Sequence, residues 1–436
     1  MNRFVSLDIG PNYQLDDAKI AIKSFFGLNS ADSKEVTEWF CNYFSTKKVW
    51  FYNTCRSGIF SILKALDLDH QSEVLVQGFS CIVVPNAVLQ ANLKPVICDV
   101  SINDFNFDLE QIESKITKNT KVWILQYNFG IVPDMEKVQT ICRKYNLILI
   151  EDCAHSLGAK FSIKGIEYKV GEFGHAAAFS FGRDKVISTT TGGSIVFNQH
   201  TPLNKLNNFK QIQVNLSSHY DGLKKMTRLE VTQNLFYVIL TSILIKPIYN
   251  VGIGKILAYI AAKLKLAGRV YTTSEKNLDK AKFPAPKKYS PRLFALLNNQ
   301  LNKLNYFNDH RRRLAKIYAE QLNLNFDDKN IYLRFPIFLP DTLKLKSLEQ
   351  SQQAYSYLLS QTKKQGYFLG KWYFKVFLGA AKDDQKIYHY DLNTLPNVNS
   401  LIQKQTLNLP TNISTTERDA YNLSKIIKKS INNNSL

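Results

Sequence analysis

The sequence predicts an α/β fold: a mostly parallel sheet covered by helices, followed by a smaller C-terminal α+β domain. Three observations point there. Between about residues 50 and 200, short apolar runs alternate with helical stretches. Strands that alternate with helices pair in parallel and are covered on both faces. After residue 200 that rhythm stops.

The elements follow in order. Strand-like runs occur at Val74–Val76, Pro95–Val100, Val122–Tyr127, Leu147–Glu151, Ala176–Phe181 and Gly193–Phe197. Met135, Val138, Ile141 and Cys142 recur at helical spacing behind Asp134, a residue suited to cap the helix start. Leu235–Ile245 is nearly continuous apolar sequence, and a second apolar stretch spans Ile256–Ile260. A polar, proline-containing segment, Thr272 to Pro291, reads as a connection. The rest mixes helical and short strand signals, and its polar tail, Asn432–Leu436, is expected to fray. The division expected is a large domain over 1–205, a helical insertion and connection over 206–290, and a small domain over 291–436. A chain of 436 residues is too long for one small core.

Composition narrows the function. Apolar residues make up 45% and charged residues 21%, an ordinary balance for a globular enzyme. Residues 1–17 hold no apolar run and carry Asp8, Asp16 and Asp17, which argues against a secretory signal. Six scattered cysteines without a CxxC pair argue against metal sites and a disulfide framework, and suit reduced thiols in a cytoplasm. The formal charge of +20 calls for an anionic partner: nucleic acid, an anionic membrane or a phosphorylated small molecule. Lysine and arginine are spread along the chain without interleaved aromatics, which disfavours nucleic acid.

Ligands of such sheets sit at strand C-terminal ends. At one such end stand Glu151, Asp152, Cys153, Ala154 and His155. A carboxylate there can pair with a protonated ring nitrogen, or merely cap a helix. At another, Ser180-Phe181-Gly182-Arg183-Asp184-Lys185 precedes Gly192-Gly193. A lysine there can form an imine if burial and nearby cations lower its pKa; alone it reads as a surface lysine. Cys55-Arg56-Ser57-Gly58-Ile59 opens a helix whose N-terminus can hold a phosphate, or is simply capped.

Order and spacing add what the single signals lack. The stretches EVLVQGFSCIVVPNAVLQANLKPVICDV, IEDCAHSLGAKF, AFSFGRDKVISTTTGG and LPNVNSLIQKQTLNLPTN resemble the signatures of the DegT/DnrJ/StrS-type sugar aminotransferases, over about residues 28 to 427. The resemblance implies an aspartate-aminotransferase-like fold, fold type I, and pyridoxal 5'-phosphate as cofactor. It implies that Lys185 is the Schiff-base lysine and that Asp152 keeps the pyridine nitrogen protonated. Ser180 matches a phosphate-binding hydroxyl, and Gly58 and Ile59, after Ser57, match positions whose backbone N–H groups hold the phosphate. His155 falls near the cofactor's ring oxygen, and Cys81 falls where an aromatic ring commonly stacks. No metal is implied.

Three departures stand out. Ile59 replaces a usual Thr or Ser, which leaves Arg56 to compensate. Cys81 cannot stack as a ring does. The Asn-Tyr-Arg segment that reaches the neighbouring subunit's site should fall near Pro286-Lys287-Lys288, where no Asn stands, so that role is not carried over.

The resemblance implies transfer of an amino group from glutamate or a similar donor to a nucleotide-linked keto-sugar, in surface polysaccharide or glycan biosynthesis, by a homodimer. Two rivals are a dehydratase relative, disfavoured because those carry histidine in place of Lys185, and a cofactor-binding regulatory protein without turnover. Leu235–Ile245 is eleven residues and ends at Lys246-Pro247, whereas a spanning helix needs about twenty. The stretch over 235–266 is expected to pack locally; its flanking Lys224, Lys225, Arg228, Lys246, Lys255, Lys263, Lys265 and Arg269 offer peripheral membrane contact as the alternative.

Overall fold

The computed structural model describes residues 5–6, 10, 12–29, 33–249, 253–263, 271–381 and 384–432. Residues 433–436 of the tail expected to fray, and Lys265, Leu266 and Arg269, lie outside them.

Seven strands form the central sheet: β1 (Val49–Tyr52), β2 (Glu73–Gln77), β3 (Lys94–Cys98), β4 (Thr120–Gln126), β5 (Ile148–Asp152), β6 (Ala176–Ser180) and β7 (Gly193–Phe197). Their order is β1-β7-β6-β5-β4-β2-β3. β6, β5, β4, β2 and β3 pair in parallel. β7 alone is reversed, antiparallel to both β6 and β1. The expected runs match β2 to β7; the strand at 49–52 was not among them.

Alternation within one strand shows why both faces are covered. In β4, Trp123 and Leu125 enter one apolar cluster and Val122 and Ile124 the other. Helices α1 (Leu15–Phe25), α2 (Ser33–Tyr43) and α5 (Met135–Lys144) contribute to the first, and α3 (Cys55–Ala65), α4 (Val83–Gln90) and α6 (Phe209–Asp221) to the second. The expected cap of α5 is present: Asp134 accepts from the Glu136 and Lys137 N–H groups.

Later segments return to this body before building their own core. Helix Pro291–Asn302 packs on α1, and Asn299, Gln300 and Lys303 all reach the buried Asp17 carboxylate. A third cluster begins at Leu314 and joins helices Leu304–Leu322, Leu348–Lys364 and Glu417–Asn432 to the antiparallel strands Phe335–Phe338 and Thr406–Leu409.

The apolar insertion is helical. α7 (Arg228–Ile239) opens with a capping box from Thr227 and Glu230 and runs on as a π-helical turn, Leu240–Ile245. It lies along α1 and buries Leu235, Val238, Leu240 and Ile245. Lys246, one of the flanking lysines, turns inwards. Its Nζ donates to the carbonyls of Gly10 and Tyr13, each at 3.0 Å, and burial pulls its pKa down to about 8. α8 (Ile253–Lys263) packs Ala261 against Leu240 and Ile245, and leaves Ile253, Ile256, Tyr259 and Ile260 exposed. Among the described residues, no helix is long and apolar enough to cross a membrane.

If α7 belongs to the core, Leu235→Ala should destabilise the protein by about 2–5 kcal/mol in denaturant unfolding. Leu244→Ala, on the exposed side of the same element, should change stability by less than about 0.5 kcal/mol. Equal small effects would mean that the insertion is an appendage.

Candidate active site

The C-terminal ends of β4, β5 and β6 open into one cavity of about 980 Å³. Gln126, Asp152 and Ser180 are the strand-end residues on its wall. The first turn of α3 supplies Thr54 to Ser57, and the turn after β6 supplies Gly182 to Lys185. α7, the 271–284 segment, Arg334 and residues 368–374 complete it.

The two acids that end β5 part company. Glu151 points away and accepts from Tyr127 Oη at 2.5 Å and from the N–H groups of Gly171, Phe173 and Gly174 at 2.9, 2.9 and 2.6 Å. It is a fastener for the 171–174 turn. Asp152 faces the cavity with one backbone donor, Ala154 N–H at 3.1 Å. Burial raises its pKa to about 6, and the positive Lys185 opposes that rise.

Lys185 sits in a turn closed by its N–H to Gly182 O, 3.3 Å. Its Nζ lies 2.8 Å from His155 Nε2. Burial, then the charges of Lys185 and Arg334, push His155 well below its ordinary pKa, so the ring is neutral. Its Nδ1 accepts from Phe129 N–H at 3.3 Å, and its Nε2 faces Nζ.

Sequence reading missed three parts of this site. Trp372 stacks on His155, ring centroids 5.4 Å apart at 19°, and lies 5.1 Å from Lys185 Nζ. Arg334, buried, covers the same indole at 3.4 Å and reaches Asp184 at 3.4 Å. Behind the lysine, Asn12 donates to the carbonyls of Lys185 and Val186 at 2.7 and 3.0 Å. Arg311 donates to Val186 O and to Asn12 Oδ1 at 2.8 and 3.0 Å. Nothing in the spacing of these residues signals a shared site; only the fold brings them together.

The remaining expected residues fall as follows. Ser180 lines the cavity and accepts from Gly182 N–H at 3.4 Å. Cys81 also lines it, with its thiol pKa pushed up by burial. Ser57 lines it, and its N–H is capped by Thr54 Oγ1 at 3.2 Å. Gly58 and Ile59 lie within α3. With α3 starting at Cys55, the N–H groups left outside the helical ladder belong to the residues before Gly58. Glycine at 58 instead permits contact with β7, since a Cβ there would lie 2.6 Å from Ile195 Cγ1. At Gly193 a Cβ would lie 2.5 Å from Cys55 N, so that glycine brings the helix start to the sheet edge.

Residues 12–225 match the DegT/DnrJ/EryC1/StrS aminotransferase family. The matched stretch, just under half of the chain, carries the pattern of that family. GDP-perosamine synthase of Caulobacter vibrioides is 31% identical over 164 residues, 38% of this chain and 43% of that protein. The dTDP-3-amino-3,6-dideoxy-alpha-D-galactopyranose transaminase of Aneurinibacillus thermoaerophilus is 35% identical over 167 residues, 38% and 44% of the two. These alignments span less than half the length of the curated relatives. The PLP-form of putative sugar aminotransferase Spr1654 from Streptococcus pneumoniae superposes with a TM-score of 0.70 at 15% identity, covering 98% of this chain and 99% of that one. The fold is therefore that of the fold-type I aminotransferases, as the resemblance implied.

Asp152 gives a pH signature. Its folded pKa is raised, so the folded state holds the extra proton: that stabilisation is full below the unfolded pKa and lost as pH rises through about 6. In ligand-free protein, Asp152→Asn should therefore raise stability at pH 7 by about 2–3 kcal/mol, with the gain vanishing towards pH 4. A pH-independent difference would place the strain elsewhere.

Proposed function

We propose that this chain is a pyridoxal-phosphate-dependent aminotransferase that moves an amino group from glutamate or a similar donor to a nucleotide-linked keto-sugar. One observation carries the reading: a lysine amine, a buried carboxylate and a neutral histidine converge on a single cavity at the strand ends. The donor set fits the cofactor. When bound, the cofactor supplies an aldehyde that joins a lysine amine and a protonated ring that withdraws electrons.

The residues divide the work. Asp152, with one backbone donor, keeps an acceptor for the ring N–H, and its raised pKa falls once a cation faces it. Lys185 holds the aldehyde carbon and, when released by the donor, takes and returns the proton at the donor's α-carbon. A base so positioned contributes roughly 10²–10⁴-fold. His155 turns Nε2 towards the ring oxygen. Ser180 and the start of α3 offer hydroxyl, N–H groups and helix dipole to the phosphate. Trp372 and Arg334 shield Lys185 from water. Nucleotide-linked sugars as acceptors, and a role in surface glycan synthesis, are supported by the names of the relatives and suit a chain of charge +20.

Partners follow from the same reading. The protein is a homodimer, as sites of this fold are completed across a two-fold axis. The four exposed apolar side chains of α8 favour a second reading of that face, peripheral contact at the inner face of a membrane. Lys185 at the Schiff-base position disfavours the dehydratase alternative, and turnover separates the enzyme from a cofactor-binding regulator.

Lys185→Ala should lose both the visible absorbance that wild type gains with pyridoxal phosphate and its bleaching by glutamate, with an unchanged circular-dichroism spectrum. Wild-type turnover in that variant would sink the assignment. Sedimentation of the active protein should give a dimer of the 50.0 kDa chain; an active monomer would refute the shared site.

A further inference from the structure

The donors around the proposed phosphate seat are few. The Thr54 and Ser57 hydroxyls bond each other at 2.8 Å, and the Ser57 hydroxyl donates to Asn53 Oδ1 at 2.9 Å. The Ser57 N–H is taken by Thr54. Ile59 brings a buried hydrocarbon where a hydroxyl was expected. What remains, among the described residues of the first turn of α3 and the end of β6, is the Ser180 hydroxyl, the N–H groups of Cys55 and Arg56, and the Arg56 guanidinium.

Arg56 is not idle. Its guanidinium is ion-paired with Glu275, a buried carboxylate that also lines the cavity. Glu275 is fixed independently of Arg56: its Oε2 accepts from Thr272 N–H at 2.7 Å and Thr272 Oγ1 at 3.0 Å, in the capping box of the short helix Thr273–Lys276. Its main chain is held as well, by Asn86 Nδ2 at 3.3 Å. The guanidinium is therefore parked on a stationary counter-ion beside the seat.

We propose that Arg56 is the side-chain anchor of the cofactor's phosphate, and that it exchanges Glu275 for the phosphate when the cofactor binds. This rests on the pyridoxal-phosphate reading of the site. A phosphate dianion brings two negative charges, whereas a helix N-terminus offers about half a positive one. The shortfall needs a cation within the seat, and a planar guanidinium presents parallel donors that match phosphate oxygens. Without the cofactor, Glu275 supplies this largely desolvated guanidinium with a counter-charge. Phosphate and Glu275 thus compete for one set of donors. Neutralising the carboxylate favours the phosphate; removing the guanidinium leaves the phosphate a dipole and a hydroxyl.

The test compares pyridoxal phosphate with pyridoxal, which has the same aldehyde and ring but no phosphate. Affinity is read from the visible absorbance gained on joining Lys185, in the full chain. Arg56→Gln should weaken pyridoxal phosphate by about 10- to 100-fold and leave pyridoxal unchanged. Arg56→Lys should fall between the two, and Glu275→Gln should tighten pyridoxal phosphate alone. Equal losses for both aldehydes in Arg56→Gln, or undiminished binding of pyridoxal phosphate, would overturn the proposal. If wild type gains absorbance with neither aldehyde, the reading of the site itself falls, and this inference with it.

Discussion

A carboxylate kept from water organises this structure. Asp152 is held at the end of a central strand, under a cavity, with a single backbone donor. An ionised carboxylate in such a place is expensive unless a cation meets it. Lys185 meets it only from a distance: it lowers the Asp152 pKa without making an ion pair among the described contacts. The seven strands, buried on both faces, make the site rigid enough to hold that unsatisfied charge. Its neighbour Glu151 shows the contrast. It has four donors and faces the other side of the same strand, where it does mechanical work.

The cavity is made from distant parts of the chain because each side has a different task. The sheet edge gives fixed polar groups. The turn after β6 gives the amine. The C-terminal third gives a lid of indole and guanidinium, Trp372 under Arg334. The insertion adds a wall: Glu230, Gln233 and Asn234 of α7 face inwards, while its apolar side lies on α1. The apolar character that made 235–245 look like membrane sequence is spent on packing within the protein.

Much of this was legible in the sequence, and the reasons differ by element. β2 to β7 could be read because strands buried on both faces must be apolar at nearly every residue. β1 escaped notice: Val49–Tyr52 is only four residues long and directly follows two lysines. Asp152, Ser180 and Lys185 were visible because each stands where a strand stops and the chain must turn. Trp372, Arg334 and Asn12 were not, because their contacts with 155, 184 and 185 are set by tertiary packing and leave no periodic trace. The helix start at Cys55 was read correctly, while the Thr54 cap that fixes it rests on a hydroxyl contact that spacing does not reveal. The inward turn of Lys246 was hidden for the same reason. A lysine after an apolar run reads as solvated, yet here two main-chain carbonyls from residues 10 and 13 replace the water.

The clamp of Asn12 and Arg311 on the Lys185–Val186 peptide sets an order on synthesis. Asn12 leaves the ribosome early, 173 residues before the lysine, and Arg311 follows 125 residues after Val186. The whole sheet can form while the peptide bearing the amine is still held from one side only. The reactive turn acquires its final hold after about seven tenths of the chain has been made, and a truncated product ending between residues 197 and 311 has the strands but not the clamp. Loops closed this late are entropically slow to settle.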